Sequence, residues 1–158
     1  MSAYSKFVAF LKANDVQPVA APEKTLAKAR ERGFPEELIR FYETCAPDDC
    51  FEGVIRLNGV EAAIMENEEA IPGMSLFPKG YFNCGSTYCG DGYFIDTNVT
   101  DRPKPVCIFS HDMLGEESSQ AEVDACRKEV AKDFEDFLDK FMDESLDEEP
   151  SYESPGNG

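Results

Sequence analysis

The sequence predicts an α+β fold with a largely antiparallel sheet, flanked by N-terminal helices and a C-terminal helix. Three observations carry that expectation. Residues 4–45 repeat apolar side chains at helical spacing, residues 54–110 hold short β-branched and aromatic runs bounded by turn formers, and helical spacing returns from about Ser119. Because the strands fall in one block rather than alternating with helices, βαβ crossovers and a nucleotide-binding sheet are not expected.

Tyr4, Phe7, Phe10 and Leu11 share one face of a first helix over residues 4–13, which ends before Gln17-Pro18 and Ala21-Pro22. Pro22 suits the first turn of a second helix, PEKTLAKARERG, where its missing N–H costs no bond, and Gly33 closes that helix. Pro35 repeats the arrangement in FPEELIRFYETC. There Glu36 and Glu37 sit at the positive helix end, and Leu38, Ile39, Phe41, Tyr42 and Cys45 form the buried side. VIRL, Asn58-Gly59 and VEAAIM are expected to make a tight hairpin, because Asn-Gly accepts the positive φ angles of a two-residue turn. ENEEAIPGMSLFPKG reads as an irregular connection with one helical turn near Glu66–Ile71, broken at Pro72-Gly73 and again at Pro78. YFNCGSTYCGDGYFID is expected to give two strands about a glycine-rich turn, with PVCIFS at 105–110 the next strand. Val123, Cys126, Val130, Phe134, Phe137, Leu138 and Phe141 then line one side of a long helix or two shorter ones. DEEPSYESPGNG lacks apolar spacing, so one domain over residues 1–146 with a disordered tail at 147–158 is expected.

The chain has 158 residues, and its 42% hydrophobic content supplies a core despite a formal net charge of −17 from 15 basic and 32 acidic residues. That surplus repels phosphate backbones and anionic bilayers, which are gripped by Lys and Arg, so neither nucleic acid nor a membrane is an expected partner. No apolar run approaches the ~18 residues of a spanning helix. MSAYSKFVAFLKAND lacks a small-residue cleavage site, so a cytoplasmic protein is expected.

The six cysteines form C-x4-C twice, at Cys45/Cys50 and Cys84/Cys89, which is looser than a zinc knuckle, and His111 is the only histidine. Under reducing conditions they are expected to be structural thiols with no metal. CGSTYCGDG lacks both phosphate-loop spacings and runs into strand-like YFID, so Gly90 and Gly92 are expected to serve a turn. DTNVTD offers calcium-loop oxygens at Asp96, Asn98 and Thr100, but Asp101 and Cys107 stand where glycine and a bidentate acid are needed; a hydrogen-bonded turn is expected instead. His111 and Cys107 would share a strand face too far apart for a nucleophile and its base. The acids are too numerous for any one pair to mark an acid–base dyad. No catalytic residue and no cofactor is expected, and a small carboxylate-dependent hydrolase is the alternative of a different class.

The acids recur at Asp48, Asp49, Glu52, Glu61, Glu66, Glu68 and Glu69, then densely from Glu116 to Glu149. A solubilising exterior explains some of this charge. A negative face that recruits a basic partner explains why so much of one sign is retained against self-repulsion.

In order along the chain, FPEELIRFYETCAP, VIRLNG, PKGYFNCGSTYCGDGYFIDTN, VCIFSHD and DFEDFLDKFM resemble the SUKH superfamily, the Smi/Knr-like proteins. The resemblance covers roughly residues 34–142, with Gly90, Asp91, Gly92, Tyr93 and Asp96 matching the family's glycine-acid-aromatic strand and turn. It implies helices packed around a curved sheet, no catalytic residues and no cofactor. Bacterial members typically neutralise a toxin, often a nuclease or deaminase; eukaryotic relatives are protein-interaction modules, so a regulatory scaffold without a toxin is the second alternative. The expected partner is a basic, nucleic-acid-processing toxin met by a monomer or weak dimer. The expected contacts are Asp48, Asp49, Glu66, Glu68, Glu69, Tyr88, Asp91, Asp112, Glu116 and Glu117, with Gly90 and Gly92 shaping the turn.

Overall fold

The computed structural model describes residues 2–47 and 49–156. Three helices lead: α1 (Ala3–Ala13), α2 (Glu23–Glu31) and α3 (Glu36–Thr44). The Ser2 hydroxyl accepts the Ser5 N–H and starts α1, which buries Ala3, Phe7 and Leu11. Pro22 and Pro35 stand one residue before the first turns of α2 and α3, as caps. Gly33 takes a φ of 79° after α2 and turns the chain into α3.

Six strands follow in meander order, each antiparallel to the next: β1 (Cys50–Glu52), β2 (Arg56–Asn58), β3 (Tyr81–Ser86), β4 (Gly92–Asp96), β5 (Val106–Phe109) and β6 (Lys128–Ala131). The fold is α+β, as expected. Both faces of β3–β5 are buried. Phe82, Tyr93, Ile95, Val106 and Ile108 pack into the larger core with α1 to α4 and α7 (Phe134–Met142), while Tyr81, Phe94, Cys107 and Phe109 meet Leu76, Leu114, Val123 and Cys126 on the other side. Double burial is why these strands read as unbroken apolar runs rather than alternating ones.

Two expectations are corrected. VEAAIM is no strand: α4 (Val60–Glu68) occupies it, and Gly59 is its N-cap with φ −80°, so Asn58-Gly59 is a strand-to-helix junction and not a hairpin turn. Val60, Ala63, Ile64 and Asn67 fall on one buried helical face, and Glu61, Ala62, Ala63, Met65, Glu66 and Glu68 are strong helix formers, which outweighs the local turn signal. The true partner of β2 lies upstream, with Cys50 opposite Asn58 and Phe51 opposite Leu57. The connection beyond α4 is also more ordered than expected, since α5 (Gly73–Leu76) and a 3-10 turn (Phe77–Lys79) fill it.

The second correction lies between α6 (Gln120–Cys126) and α7, where β6 interrupts the helical stretch and carries Val130. Arg127 leaves the helix in extended conformation and donates through Nε and Nη2 to Asp96 Oδ2 at 3.0 and 2.8 Å. That long-range ion pair delivers the following residues to the open side of β5. Beyond α7 the described residues form no further helix or strand, yet the Tyr93 hydroxyl donates to the Asp147 carbonyl at 2.9 Å and Lys128 pairs with Asp147 at 2.9 Å.

A reciprocal cap opens α6: the Ser119 hydroxyl accepts the Glu122 N–H at 3.2 Å, and Glu122 Oε1 accepts the Ser119 N–H at 3.0 Å. Ser119→Ala is expected to cost ~1 kcal/mol of unfolding free energy, measured by urea titration, because the first turn of the helix that seals the second core then loses its cap.

Candidate functional site

The β3–β4 turn is the most elaborated piece of surface. The Thr87 N–H donates to the Asp91 carbonyl at 2.8 Å, and the Asp91 N–H to the Thr87 hydroxyl at 3.1 Å, closing the turn around Gly90, whose φ of 98° suits glycine. A Cβ there would lie in van der Waals contact with the His111 ring, 3.4 Å away, so the constraint is the backbone angle and not the space. Gly92 instead opens β4, where a Cβ would strike the Phe94 ring.

Tyr88 projects from this turn, 51% exposed yet fixed at two points. Its hydroxyl donates to the Gly53 carbonyl of the β1–β2 turn at 2.9 Å, and the Arg56 guanidinium lies over its ring, 5.3 Å from the centroid. Glu66 lies within reach of the Arg56 charge; burial pushes its carboxyl above the ordinary value and that cation opposes the shift. On the other flank Asp91, only 4% exposed, accepts the His111 backbone N–H at 3.1 Å and lies 2.8 Å from His111 Nδ1. A carboxylate only accepts, so Nδ1 carries the proton here. His111 Nε2 faces Asp112 at 3.4 Å. Tyr152 is also half exposed close by, its phenol raised first by desolvation and then by Asp91, Glu149 and Asp112.

Glu116 and Glu117 sit on the loop that continues from Asp112, and this loop is tied to α5. The Ser75 hydroxyl donates to the Gly115 carbonyl at 2.6 Å and accepts the Ser118 N–H at 2.8 Å, while Lys79 Nζ donates to the Ser75 and Ser118 carbonyls at 3.0 and 2.8 Å. The structure therefore gathers Glu66, Tyr88, Asp91 and Asp112 about one turn and adds Glu116 and Glu117 on a pinned loop. It leaves others apart. Asp49 stands at the far end of β1 from Gly53, its carbonyl accepting the Gly59 N–H. Glu68 is paired with Arg32, the residue that follows α2, and Glu69 caps the exposed end of α4. Asp48 lies outside the described residues.

Arg56 and His111, which sequence reasoning did not place here, complete the site. A signal for Arg56 existed: between Arg40 and Arg102 the only cations are Arg56 and Lys79, and between Lys104 and Arg127 there is none. These stretches build β1, β2, α4, α5, the central strands, the 110–119 loop and α6. Both cations are engaged, Arg56 on Tyr88 and Lys79 on carbonyl oxygens. Among the described residues no ion pair reaches Asp49, Glu66, Glu69, Glu116 or Glu117. Unpaired acids flanking a fixed aromatic ring are suited to receiving a cationic macromolecule.

Residues 23–140 match the model of the SMI1 / KNR4 family (SUKH-1). The chain belongs to this family. The assignment is of the immunity-protein type. No curated protein and no solved structure matches the chain.

Within this SUKH fold the six thiols are free; Cys45, Cys84, Cys107 and Cys126 are buried, Cys50 is half-buried and Cys89 exposed. Burial pushes the Cys107 thiol up to about 12 and that of Cys126 to about 11, which suppresses the reactive thiolate. Among the described residues no group of three or more His, Cys, Asp or Glu is placed to hold a metal ion. None of the helices described is long and apolar enough to cross a membrane.

Proposed function

We propose that this chain is a non-enzymatic immunity protein that neutralises a basic, nucleic-acid-processing toxin by docking it against the acidic surface around the β3–β4 turn. It acts in the cytoplasm as one domain over residues 1–146. The observation that carries this reading is the segregation of charge: among the described residues Glu66 of α4 and Glu116 and Glu117 of the 110–119 loop form no ion pair, and the two cations of that region are held by Tyr88 and by carbonyl oxygens. Covering the positive surface of such an enzyme denies it the phosphate backbone it must grip. Tyr88 supplies the anchor, since an aromatic ring held in place before binding loses little rotamer freedom on contact. The acids surrounding it raise the rate of encounter and reject like-charged competitors.

The test is inhibition of a nuclease encoded beside this chain. Inhibition is expected to weaken as salt rises, because exposed charges are screened beyond ~10 Å at 0.1 M. The double variant Glu116→Lys, Glu117→Lys is expected to slow association roughly tenfold while leaving thermal unfolding unchanged. Inhibition indifferent both to salt and to this double reversal sinks the reading.

A further inference from the structure

The open sheet ends in two edges, β1 and β6. Beside β6 runs a groove of about 540 Å³, bounded by Arg102, by residues 129–132 and by Asp136 and Lys140 of α7. An edge strand with room beside it is a template for another strand, and the same strand of a second copy, run antiparallel, offers it the same set of backbone donors and acceptors, with one irregularity where Val130 interrupts the pairing of β6 with β5. Here α7 reaches back over that edge. Lys140 Nζ donates to the Val130 carbonyl at 3.4 Å and to Asp136 Oδ2 at 2.9 Å, and the same carboxylate oxygen accepts the Lys132 N–H at 3.0 Å. One helical turn of α7 thereby occupies a carbonyl and an N–H of the edge segment with side chains.

We infer that Lys140, steered by Asp136, guards β6 against pairing with β6 of a second copy of this chain. Its ammonium occupies the Val130 carbonyl of the edge strand, so an incoming strand must first displace that side chain. This inference concerns the face formed by β6 and α7 and is independent of the toxin-docking surface.

Lys140→Ala and Lys140→Arg separate the possibilities. Light scattering from roughly 10 to 500 µM is expected to show wild type and Lys140→Arg as monomers, while the mass of Lys140→Ala climbs towards twice the monomer with a dissociation constant on the order of 100 µM. Amides 129–132 of Lys140→Ala should exchange several-fold more slowly at the high concentration than at the low one. Asp136→Asn, which releases Lys140 from its tether, should associate in the same direction, so a folding failure in one variant leaves the other to decide. Monomers throughout in both variants overturn the inference, and so do dimers without slowed exchange at residues 129–132, or a wild type already paired through β6.

Discussion

Gly73→Ala is expected to remove ~3 kcal/mol or more of unfolding free energy, a large share of the 5–15 kcal/mol typical of a domain. A Cβ at position 73 would lie 1.8 Å from the Glu66 carbonyl oxygen, 2.7 Å from its carbonyl carbon and 3.0 Å from the Asn67 Cα. All three are backbone atoms of the last turn of α4, so no rotamer change relieves the overlap and α5 must move bodily. The displacement spreads further, because Asn67 Oδ1 accepts the Asn83 N–H of β3 at 3.1 Å and Asn83 Oδ1 accepts from Asn58 at 2.8 Å. Urea unfolding measures the loss; a change below ~1 kcal/mol would mean that α5 does not abut α4 as described. Gly92→Ala is the internal control. Its Cβ would meet the buried Phe94 ring at 2.5 Å, a side chain and not backbone, and the expected cost is smaller than at Gly73.

Phe41→Ala follows with an expected loss of ~3–5 kcal/mol, against about 1 kcal/mol for Phe41→Leu. Phe41 is fully buried on α3, and its ring centroid lies 5.1 Å from that of Phe134, 5.6 Å from Phe7 and 6.0 Å from Tyr42. It therefore joins α1, α3 and α7, and truncation leaves a void that three separate helices cannot all close. Calorimetry should show the midpoint of Phe41→Ala falling several times further than that of Phe41→Leu. Equal shifts would refute the cavity argument.

How far the fold was legible follows from where each signal resides. The helices α1, α2 and α3 announce themselves locally, through apolar spacing and prolines that prefer their starts. The strands β3, β4 and β5 are equally plain, as aromatic and β-branched runs separated by turn residues. Asn58-Gly59 misled because its hairpin preference is a two-residue property, whereas α4 is decided by nine residues whose buried face meets β2 and β3. β6 was hidden for a different reason. Cys126, Val130 and Phe134 keep helical spacing straight through it, and only the pairing of Arg127 with Asp96, 31 residues away, exposes the break. In the site, Tyr88 and Gly90 could be named from the turn they occupy. Asp91 looked like a surface acid, but His111, 20 residues on, draws it inward. The stacking of Arg56 on Tyr88 likewise exists only after three strands have assembled.

Sealing β3, β4 and β5 on both sides has an evolutionary corollary. No residue pointing out of the middle of those strands can touch another molecule, so any recognition chemistry must be written into the rim: the turns, the strap between β5 and α6, and the outermost strands. Substitutions there leave the two cores untouched, so the specificity of such a body can drift quickly while its architecture stands still.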